Sequence, residues 1–490
     1  MGIVIRQAAY NTLFNYIGVI LGFVNITLLM SRWFTVDQFS LTRVLLDIAV
    51  ISIQFSHLGS FRSIVRFFPF FNKGGKTNGL LLLSLSLPFV GFLLLSACFL
   101  IFKDFFISHF AEESSLFESY YWGIIPLTFF LLYNNIFEVY LQAHSQTVFA
   151  SFLKTVLVRV LTTVALILFY FKVLSFHGFM IFFVFSYFLN IVLFVLHLKR
   201  KNLLDIKVNP QFFRKRVLRI YTNFSIYSIL SNISATLVNK IDAIMVVAFL
   251  SLSAGGVYSL AAYLSILLYI PAQQVSRIAF PIISNAWSKR KMGEIEEIYK
   301  KSSLNQLLLG GLVFILVWAS IDNFYSLQKE EYSAGKYVFF FLSMAQLINM
   351  AFGVNGQIIN VSKYYRFDTF TSLLLAVVAV ATNILLIPIF GIIGAAMATA
   401  ICVLLFNLGR GIYLYSKLKI QPFTLDTVKA VVVLLIAFVI AALLPKIENI
   451  YLDTAFNSVV LSAVVIVPVL YFKISEDISR IFKSMLQRLR

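Results

Sequence analysis

The sequence predicts an all-α integral membrane protein with about fourteen transmembrane helices, each close to the ~20 apolar residues that a span needs. Three observations predict this class. Hydrophobic residues make up 60% of the 490-residue chain, in runs that recur along its whole length. Charged residues make up only 12%, whereas a soluble domain carries about 25%. Lysine and arginine are concentrated in alternate loops between the apolar runs.

Each apolar run is long enough, at 1.5 Å per residue, to cross a hydrocarbon layer of about 30 Å. We place the helices at 9–30, 42–61, 80–102, 120–142, 149–171, 174–197, 222–249, 256–281, 303–325, 337–361, 368–388, 392–415, 428–445 and 455–472. The run from 9 to 30 contains three Asn and no small-residue cleavage site follows it, which favours a retained helix over a signal peptide. Pro271 lies inside the helix 256–281, so we expect a kink or local unwinding there.

Orientation follows from the basic residues, because Lys and Arg in short loops are retained in the cytoplasm. With a cytoplasmic N-terminus, 30 of the 40 basic residues fall in cytoplasmic segments, 6 in external loops and 4 inside helices. Both termini are therefore predicted to be cytoplasmic. The same distribution argues against nucleic-acid binding, despite a formal charge of +19, since the basic residues do not form one soluble face.

The helices are predicted to form two lobes joined by a basic cytoplasmic linker. The domains are an N-terminal lobe (1–198), the linker (199–219), a C-terminal lobe (220–416), two further helices (417–473) and a basic tail (474–490). Segments on the two sides of the linker resemble each other at offsets of 212 to 218 residues; Phe68-Pro69 corresponds to Phe280-Pro281, for example. Six helices separate equivalent points, so the repeats are parallel, an architecture found in transporters with a substrate site near the membrane midplane.

Several motifs resemble one transporter family. They are the run from Asn383 to Thr399 (NILLIPIFGIIGAAMAT), the run from Ala254 to Leu260 (AGGVYSL), the run from Arg66 to Pro69 (RFFP), and Lys240 with Asp242. With the number of helices, these make the chain similar to the polysaccharide-transport branch of the multidrug/oligosaccharidyl-lipid/polysaccharide exporter superfamily, which includes the Wzx-type O-antigen flippases. The resemblance implies two six-helix lobes that alternate between inward-open and outward-open states. It also implies a sugar chain on undecaprenyl diphosphate as the substrate.

Ionisable side chains at membrane depth are costly and are therefore candidates for function. Arg159 lies near the middle of the helix 149–171, and its guanidinium suits a diphosphate because it donates two parallel hydrogen bonds. Arg43 and Asp47 are four residues apart and share a helix face, which fits either a substrate contact or a self-neutralising pair. For Arg159, the alternative is a structural pair with an acid on another helix.

Lys240 and Asp242 are two residues apart and cannot share a helix face, so at least one needs a partner on another helix or a wet cavity. We expect Lys240 to meet the substrate and Asp242 to bind a coupling proton or Na⁺, unless Asp242 forms a fixed salt bridge. Arg277 and Glu138 lie near cytoplasmic helix ends and fit gate or interface roles. Asn135 adds a polar group that fits a sugar path. The predicted binding candidates are thus Arg159, Arg43, Lys240, Arg277 and Asn135, and the coupling candidates are Asp242, Asp47 and Glu138.

The function predicted from these features is a flippase that moves a lipid-linked oligosaccharide across a bacterial inner membrane. We expect no enzyme activity, no cofactor and no metal site, because no nucleotide-binding loop or metal-ligand spacing stands out. The partners expected are the substrate, membrane lipids and polysaccharide polymerases or glycosyltransferases, with the chain itself a monomer. Two alternatives remain: a cation-coupled multidrug exporter of the same superfamily, and a membrane polymerase or glycosyltransferase.

Overall fold

The computed structural model describes residues 2–71, 79–110, 115–204, 221, 236–238, 240–480 and 487. Regular structure in these ranges is helical throughout. The main helices are α1 (Gly2–Phe23), α2 (Val36–Ser56), α3 (Ser60–Phe71), α4 (Leu80–Ile101), α5 (Ile124–Ala143), α6 (Val158–Tyr170), α7 (Phe176–Arg200), α8 (Leu252–Ser288), α9 (Met292–Ala319), α10 (Lys336–Ala351), α11 (Asn355–Val361), α12 (Tyr365–Leu418), α13 (Leu425–Leu443) and α14 (Ile450–Tyr471). Two π-helical segments continue this set: Val24–Met30 extends α1, and Phe152–Leu157 precedes α6.

Within the described ranges, eleven helices are long and apolar enough to cross a membrane, or twelve if the bent pair of α10 and α11 forms one span. The 54-residue helix α12 contains a break at Gly391, where φ is 58° and ψ is −139°. This break separates the two helices predicted at 368–388 and 392–415. The helix predicted at 222–249 lies mostly outside the described residues, so the number fourteen stays a prediction.

The chain divides into two compact units, Met1–Gly256 and Val257–Arg490. Most of the predicted linker 199–219, and the end of the predicted basic tail, lie outside the residues that the structure describes. The predicted domain boundaries are therefore not tested and stay predictions.

Several helices begin earlier than the apolar runs predict, because polar capping residues start them. Thr35 forms a capping box with Gln38: its Oγ1 accepts from the Gln38 N–H, and Gln38 Oε1 accepts from the Thr35 N–H, both at 3.1 Å. Helix α2 thus begins at Val36 and not at 42. Helix α9 begins at Met292, eleven residues before the predicted start, with a charged extension held by i,i+4 ion pairs such as Lys301–Glu297.

Pro271 leaves helix α8 continuous, whereas a turn at Leu58 and Gly59 ends helix α2 early. Helix α8 is continuous from Leu252 to Ser288 with Pro271 inside it, so it shows no local unwinding there, and the expected kink stays a prediction. Helix α2 ends at Ser56. The turn that follows it contains Leu58 and Gly59, whose φ angles are 43° and 77°. His57 Nδ1 accepts the Gly59 N–H at 2.7 Å across this turn. The predicted helix 42–61 is therefore broken before its end.

Each unit has its own buried core and an apolar outer surface. In the first unit, a cluster that includes Ile53, Leu81 and Phe194 joins α2, α4 and α7. In the second unit, a cluster that includes Tyr299 and Leu414 joins α9 and α12. Many large apolar side chains are exposed on the outside of the helices, which suits contact with lipid and not with water.

Candidate substrate site

A polar cavity of about 300 Å³ lies within the first unit, among α2, α3, α5, α6 and α7. We call it the first-unit cavity. It is lined by Val50, Ile53, Gln54, Phe61, Leu131, Asn134, Asn135, Lys154, Val158, Tyr187, Asn190 and Phe194. Its volume is at the lower end of the range for small-molecule sites, and its mixture of apolar walls with a few placed polar groups is typical of them.

Lys154 connects two of the predicted site residues at this cavity. Its Nζ lies 2.5 Å from Glu138 Oε2 and donates to Asn135 Oδ1 at 3.2 Å. Lys154 lies at the start of the predicted helix 149–171 and is counted there with the cytoplasmic basic residues; in the structure it belongs to the π-helical segment Phe152–Leu157. Glu138 and Asn135 are thus brought together by a lysine that sequence reasoning assigned to orientation alone.

Arg159 is the second residue of α6, two residues after the end of this π-helical segment. Its Nη1 donates to the Thr155 carbonyl at 3.0 Å. Asn25, in the π-helical segment of the first span, donates from Nδ2 to the Arg159 carbonyl at 2.8 Å. Gly18 on α1 makes room for the guanidinium, since a Cβ at this position would fall 2.4 Å from Arg159 Nη1. Two π-helical segments, a feature frequent at functional sites, therefore hold the position of this arginine.

Arg43 and Arg159 come from different helices, α2 and α6. Both guanidinium charges lie within electrostatic range of the hydroxyl of Tyr187 on α7. Tyr187 also lines the first-unit cavity. The two arginines that the sequence selected therefore lie in the neighbourhood of a residue that lines the cavity.

Asp47 forms an ion pair with Lys240. The Lys240 Nζ lies 2.7 Å from Asp47 Oδ1, and the Asp47 side chain is 7% exposed. The spacing of Lys240 and Asp242 predicts that at least one of them has a partner on another helix or faces a wet cavity. Asp47 is that partner for Lys240. Asp47 and Lys240 neutralise each other in this arrangement, and breaking such a pair from one side leaves an uncompensated charge.

The two remaining candidates are Asp242 and Arg277. Asp242 is buried in the helical stretch 240–249 of the first unit. Arg277 is exposed on the part of α8 that belongs to the second unit.

The second unit contains a buried polar network that the sequence analysis missed. Arg410 Nε donates to Asp368 Oδ1 at 2.7 Å, and both side chains are at most 16% exposed. Asn407 accepts from Asn355 at 2.9 Å and donates to Asn349 at 2.7 Å. Asp368 is the first residue of the predicted helix 368–388, and Arg410 lies near the end of the predicted helix 392–415, where basic residues are counted with the cytoplasmic side. Their burial inside α12 could not be seen from the chain alone.

Comparisons with known proteins give a distant relative and a clear fold. No protein-family model matches the chain. A curated relative, the "Probable low-salt glycan biosynthesis flippase Agl15" of Haloferax volcanii, is 24% identical over 200 residues, which is 41% of this chain and 42% of the relative. The matched part thus spans about two fifths of that relative's length.

Solved structures match over most of the chain. A structure described as "Lipid II flippase MurJ, inward closed conformation" covers 93% of this chain and 98% of its own, with a TM-score of 0.72 and 15% identity. An inward-facing multidrug resistance MATE family transporter of the MOP superfamily covers 84% of this chain and 94% of its own, with a TM-score of 0.62 and 16% identity. The chain therefore has the fold shared by MurJ and the MATE transporters, as its resemblance to the multidrug/oligosaccharidyl-lipid/polysaccharide exporter superfamily implies.

Proposed function

We propose that this protein is a flippase for a lipid-linked glycan. In finer detail, it moves an oligosaccharide on undecaprenyl diphosphate from the cytoplasmic to the outer leaflet of a bacterial inner membrane by alternating access. The glycan then serves surface polysaccharide synthesis, in which polymerases and glycosyltransferases are the expected partners. The described flippase relatives support the coarser part of this proposal.

The observation that carries the proposal is the fixed position of Arg159 in the membrane-spanning helix α6, directly after Val158, which lines the first-unit cavity. That cavity has carboxamide groups on its other walls. A guanidinium binds a phosphate through two parallel hydrogen bonds, and carboxamides bind hydroxyl groups as donors and acceptors. Cationic groups next to an amide-lined cavity match a substrate made of a diphosphate and a sugar.

A multidrug exporter remains the second candidate, because the MATE transporters share the fold. The extent of the match favours the flippase: the MurJ structure covers 93% of this chain and the MATE structure 84%. The basic side chains of the site also favour an anionic substrate, since a cationic drug would be repelled by Arg43 and Arg159.

The test is transport by the purified protein in vesicles. One set of vesicles contains a fluorescent polyprenyl-diphosphate oligosaccharide, and another contains a cationic dye. If the protein is a flippase, the labelled sugar becomes accessible to an impermeant quencher faster in vesicles that contain the protein than in protein-free vesicles. The cationic dye is then not transported. Dye export without movement of the labelled lipid would establish the multidrug alternative.

Coupling to an ion gradient is a separate part of the proposal, and Asp242 is its candidate residue. A buried carboxylate exchanges a proton when its surroundings alternate between wet and dry, because burial favours the neutral form. If Asp242 couples, Asp242→Asn should lose the response to an imposed proton or Na⁺ gradient and still bind the substrate. Transport by the wild type that ignores both gradients would end the coupling proposal.

A further inference from the structure

The start of helix α2 is in close contact with the start of helix α8. A Cβ at Gly256 would lie 2.7 Å from the Val36 carbonyl oxygen and 3.3 Å from Ser40 Cβ, and a Cβ at Gly255 would lie 2.8 Å from Ser40 Oγ. Val36 and Ser40 are buried, and all four residues belong to the first unit. The two glycines of the AGGVYSL run therefore let the two backbones approach each other, as small residues do at helix contacts in membranes.

An ion pair forms a second contact, between α2 and the helical stretch 240–249 that precedes α8. Lys240 Nζ lies 2.7 Å from Asp47 Oδ1, with the Asp47 side chain 7% exposed and the Lys240 side chain 29% exposed. Asp47 lies seven residues after Ser40, which is about 10 Å along the helix. We call the contact of α2 with residues 240–256 the α2 seam.

An apolar cavity of about 230 Å³ lies along the same seam. Its walls include Ile48 and Ser52 of α2, and Ile241 and Ile244 of the stretch 240–249. Apolar side chains that line a void lack the van der Waals contacts of a packed core. The attraction across the α2 seam therefore depends more on the glycine contact and the ion pair than it would if the helices packed continuously.

The α2 seam joins equivalent positions of the predicted internal repeat. Helix α2 begins at Val36 and α8 begins at Leu252, 216 residues later, and Gly256 corresponds to Ser40 at the same offset. The predicted orientation places this end of both helices on the external side. Alternating access by rocking of one repeat against the other requires a contact between the repeats that can open on each side of the membrane. The α2 seam fits such a contact on the predicted external side.

We infer that the α2 seam is the external gate of this transporter and that the ion pair of Asp47 and Lys240 is its latch. In the closed gate, Ser40 packs against the two glycines and Lys240 neutralises the buried Asp47 carboxylate. In the open gate, the seam separates and water solvates both charges. The latch thus sets the proportion of closed and open molecules. The inference rests on the proposed function only for alternating access and is independent of the cargo.

The test measures how fast a thiol inside the seam reacts. Ser40→Cys places the thiol at a fully buried position, in a background of Cys98→Ser and Cys402→Ala that removes both native cysteines. The purified full-length protein reacts with a small maleimide in the absence of substrate, so neither cargo nor orientation affects the result. If the seam opens transiently, the labelling rate reports the open population. A permanent structural contact would keep the thiol unreactive in every folded variant.

Removing the charge of the latch should speed the reaction. Lys240→Met removes the ammonium and should raise the labelling rate about tenfold or more, because the closed seam then contains an uncompensated Asp47 carboxylate. Lys240→Arg keeps the charge and should label as slowly as the protein with Lys240. Lys429→Ala is the matched control, since it breaks an exposed pair with Asp426 and should leave the rate unchanged.

Gly256→Ala tests the seam without changing its charge. The added methyl group would lie 2.7 Å from the Val36 carbonyl oxygen, so it should hold the seam apart and also raise the labelling rate of Ser40→Cys. Gly293→Ala is the control, because nothing lies within 4 Å of its added Cβ. Circular dichroism and size-exclusion chromatography identify variants that fail to fold, and Gly256→Ala decides the question if Lys240→Met is one of them.

Two results would overturn the inference. One is a labelling rate in Lys240→Met, or in Gly256→Ala if it takes its place, equal to that of Ser40→Cys alone. The other is a rate in Lys240→Arg as fast as in Lys240→Met, since the charge would then not hold the seam. Opening of the seam without flipping of the labelled lipid would retain the gate and reject the flippase, whereas flipping by a protein whose seam never reacts would do the reverse.

Discussion

At the scale of single residues, the position of Arg159 depends on a glycine on another helix. A Cβ at Gly18 would lie 2.4 Å from Arg159 Nη1 and 2.6 Å from the Thr155 carbonyl oxygen. We expect Gly18→Ala to displace the guanidinium and lower the transport rate about tenfold, which corresponds to about 1.4 kcal/mol. Gly293→Ala is the matched control, because nothing lies within 4 Å of its added Cβ. Equal transport by the two variants would mean that α1 does not position Arg159.

The ion pair of Asp47 and Lys240 gives a second prediction at this scale. Lys240→Ala should lower the free energy of unfolding by about 3–5 kcal/mol, because it leaves the buried Asp47 carboxylate uncompensated. Asp47→Ala should cost less, because the Lys240 side chain is 29% exposed to its surroundings. The double variant should be more stable than either single variant. The exposed pair Asp426–Lys429 is the control, and its disruption should cost at most about 1 kcal/mol. Thermal unfolding in detergent measures all of these, and additive losses in the double variant would contradict the pairing.

The residues of the site were only partly predictable, for a physical reason. Arg43, Arg159 and Asp47 stand out in the sequence because charge inside an apolar run is rare. Lys154 does not, because it follows a polar stretch that also fits a loop. Asn190 is one polar residue in a long apolar helix, and only the packing of α5, α6 and α7 shows that this residue lines a cavity. The sequence shows which charged residues lie inside apolar runs, where their burial is unfavourable. The packing of the helices decides which of these residues come into contact.

At the scale of secondary-structure elements, the helix α12 is interrupted at one glycine. Gly391 has φ 58° and ψ −139°, a region that side chains with a Cβ enter only at a cost of about 1–3 kcal/mol. We expect Gly391→Ala to lower the melting temperature measurably. Gly409→Ala in the same helix has nothing within 4 Å of its Cβ and should leave stability unchanged or raise it slightly. A melting temperature for Gly391→Ala equal to that of Gly409→Ala would contradict the break.

The elements themselves followed from the sequence more reliably than their ends. Apolar runs located the helices, because lipid requires long uninterrupted helices. Their starts depended on local capping chemistry: Thr35 with Gln38, and Thr424 with Thr427, begin α2 and α13 before the apolar runs do. The bend of 51° between α10 and α11 depends on tertiary packing and has no signal in hydropathy.

At the scale of the whole molecule, the distribution of basic residues predicts the orientation. Single cysteines at Glu330 and at Lys291, both exposed, should lie on opposite sides of the membrane. In a background of Cys98→Ser and Cys402→Ala, an impermeant thiol reagent added outside intact cells should label Glu330→Cys and not Lys291→Cys. Equivalent tests at Glu113 and Lys207 use positions that the structure does not describe. Labelling of Lys291→Cys from outside would reverse the orientation.

The whole-molecule claim is that this fold carries a diphosphate-linked glycan across the membrane with Arg159 in its site. The most direct measurement is the flipping rate of a labelled polyprenyl-diphosphate oligosaccharide in vesicles that contain the wild type, Arg159→Ala, Arg159→Lys or the exposed control Arg32→Ala. We predict a rate about 10-fold to 100-fold lower for Arg159→Ala, since a hydrogen bond to a charged group contributes about 1.5–3 kcal/mol. Arg159→Lys should recover the rate only in part, and Arg32→Ala should match the wild type. Flipping by Arg159→Ala at the wild-type rate would contradict the account.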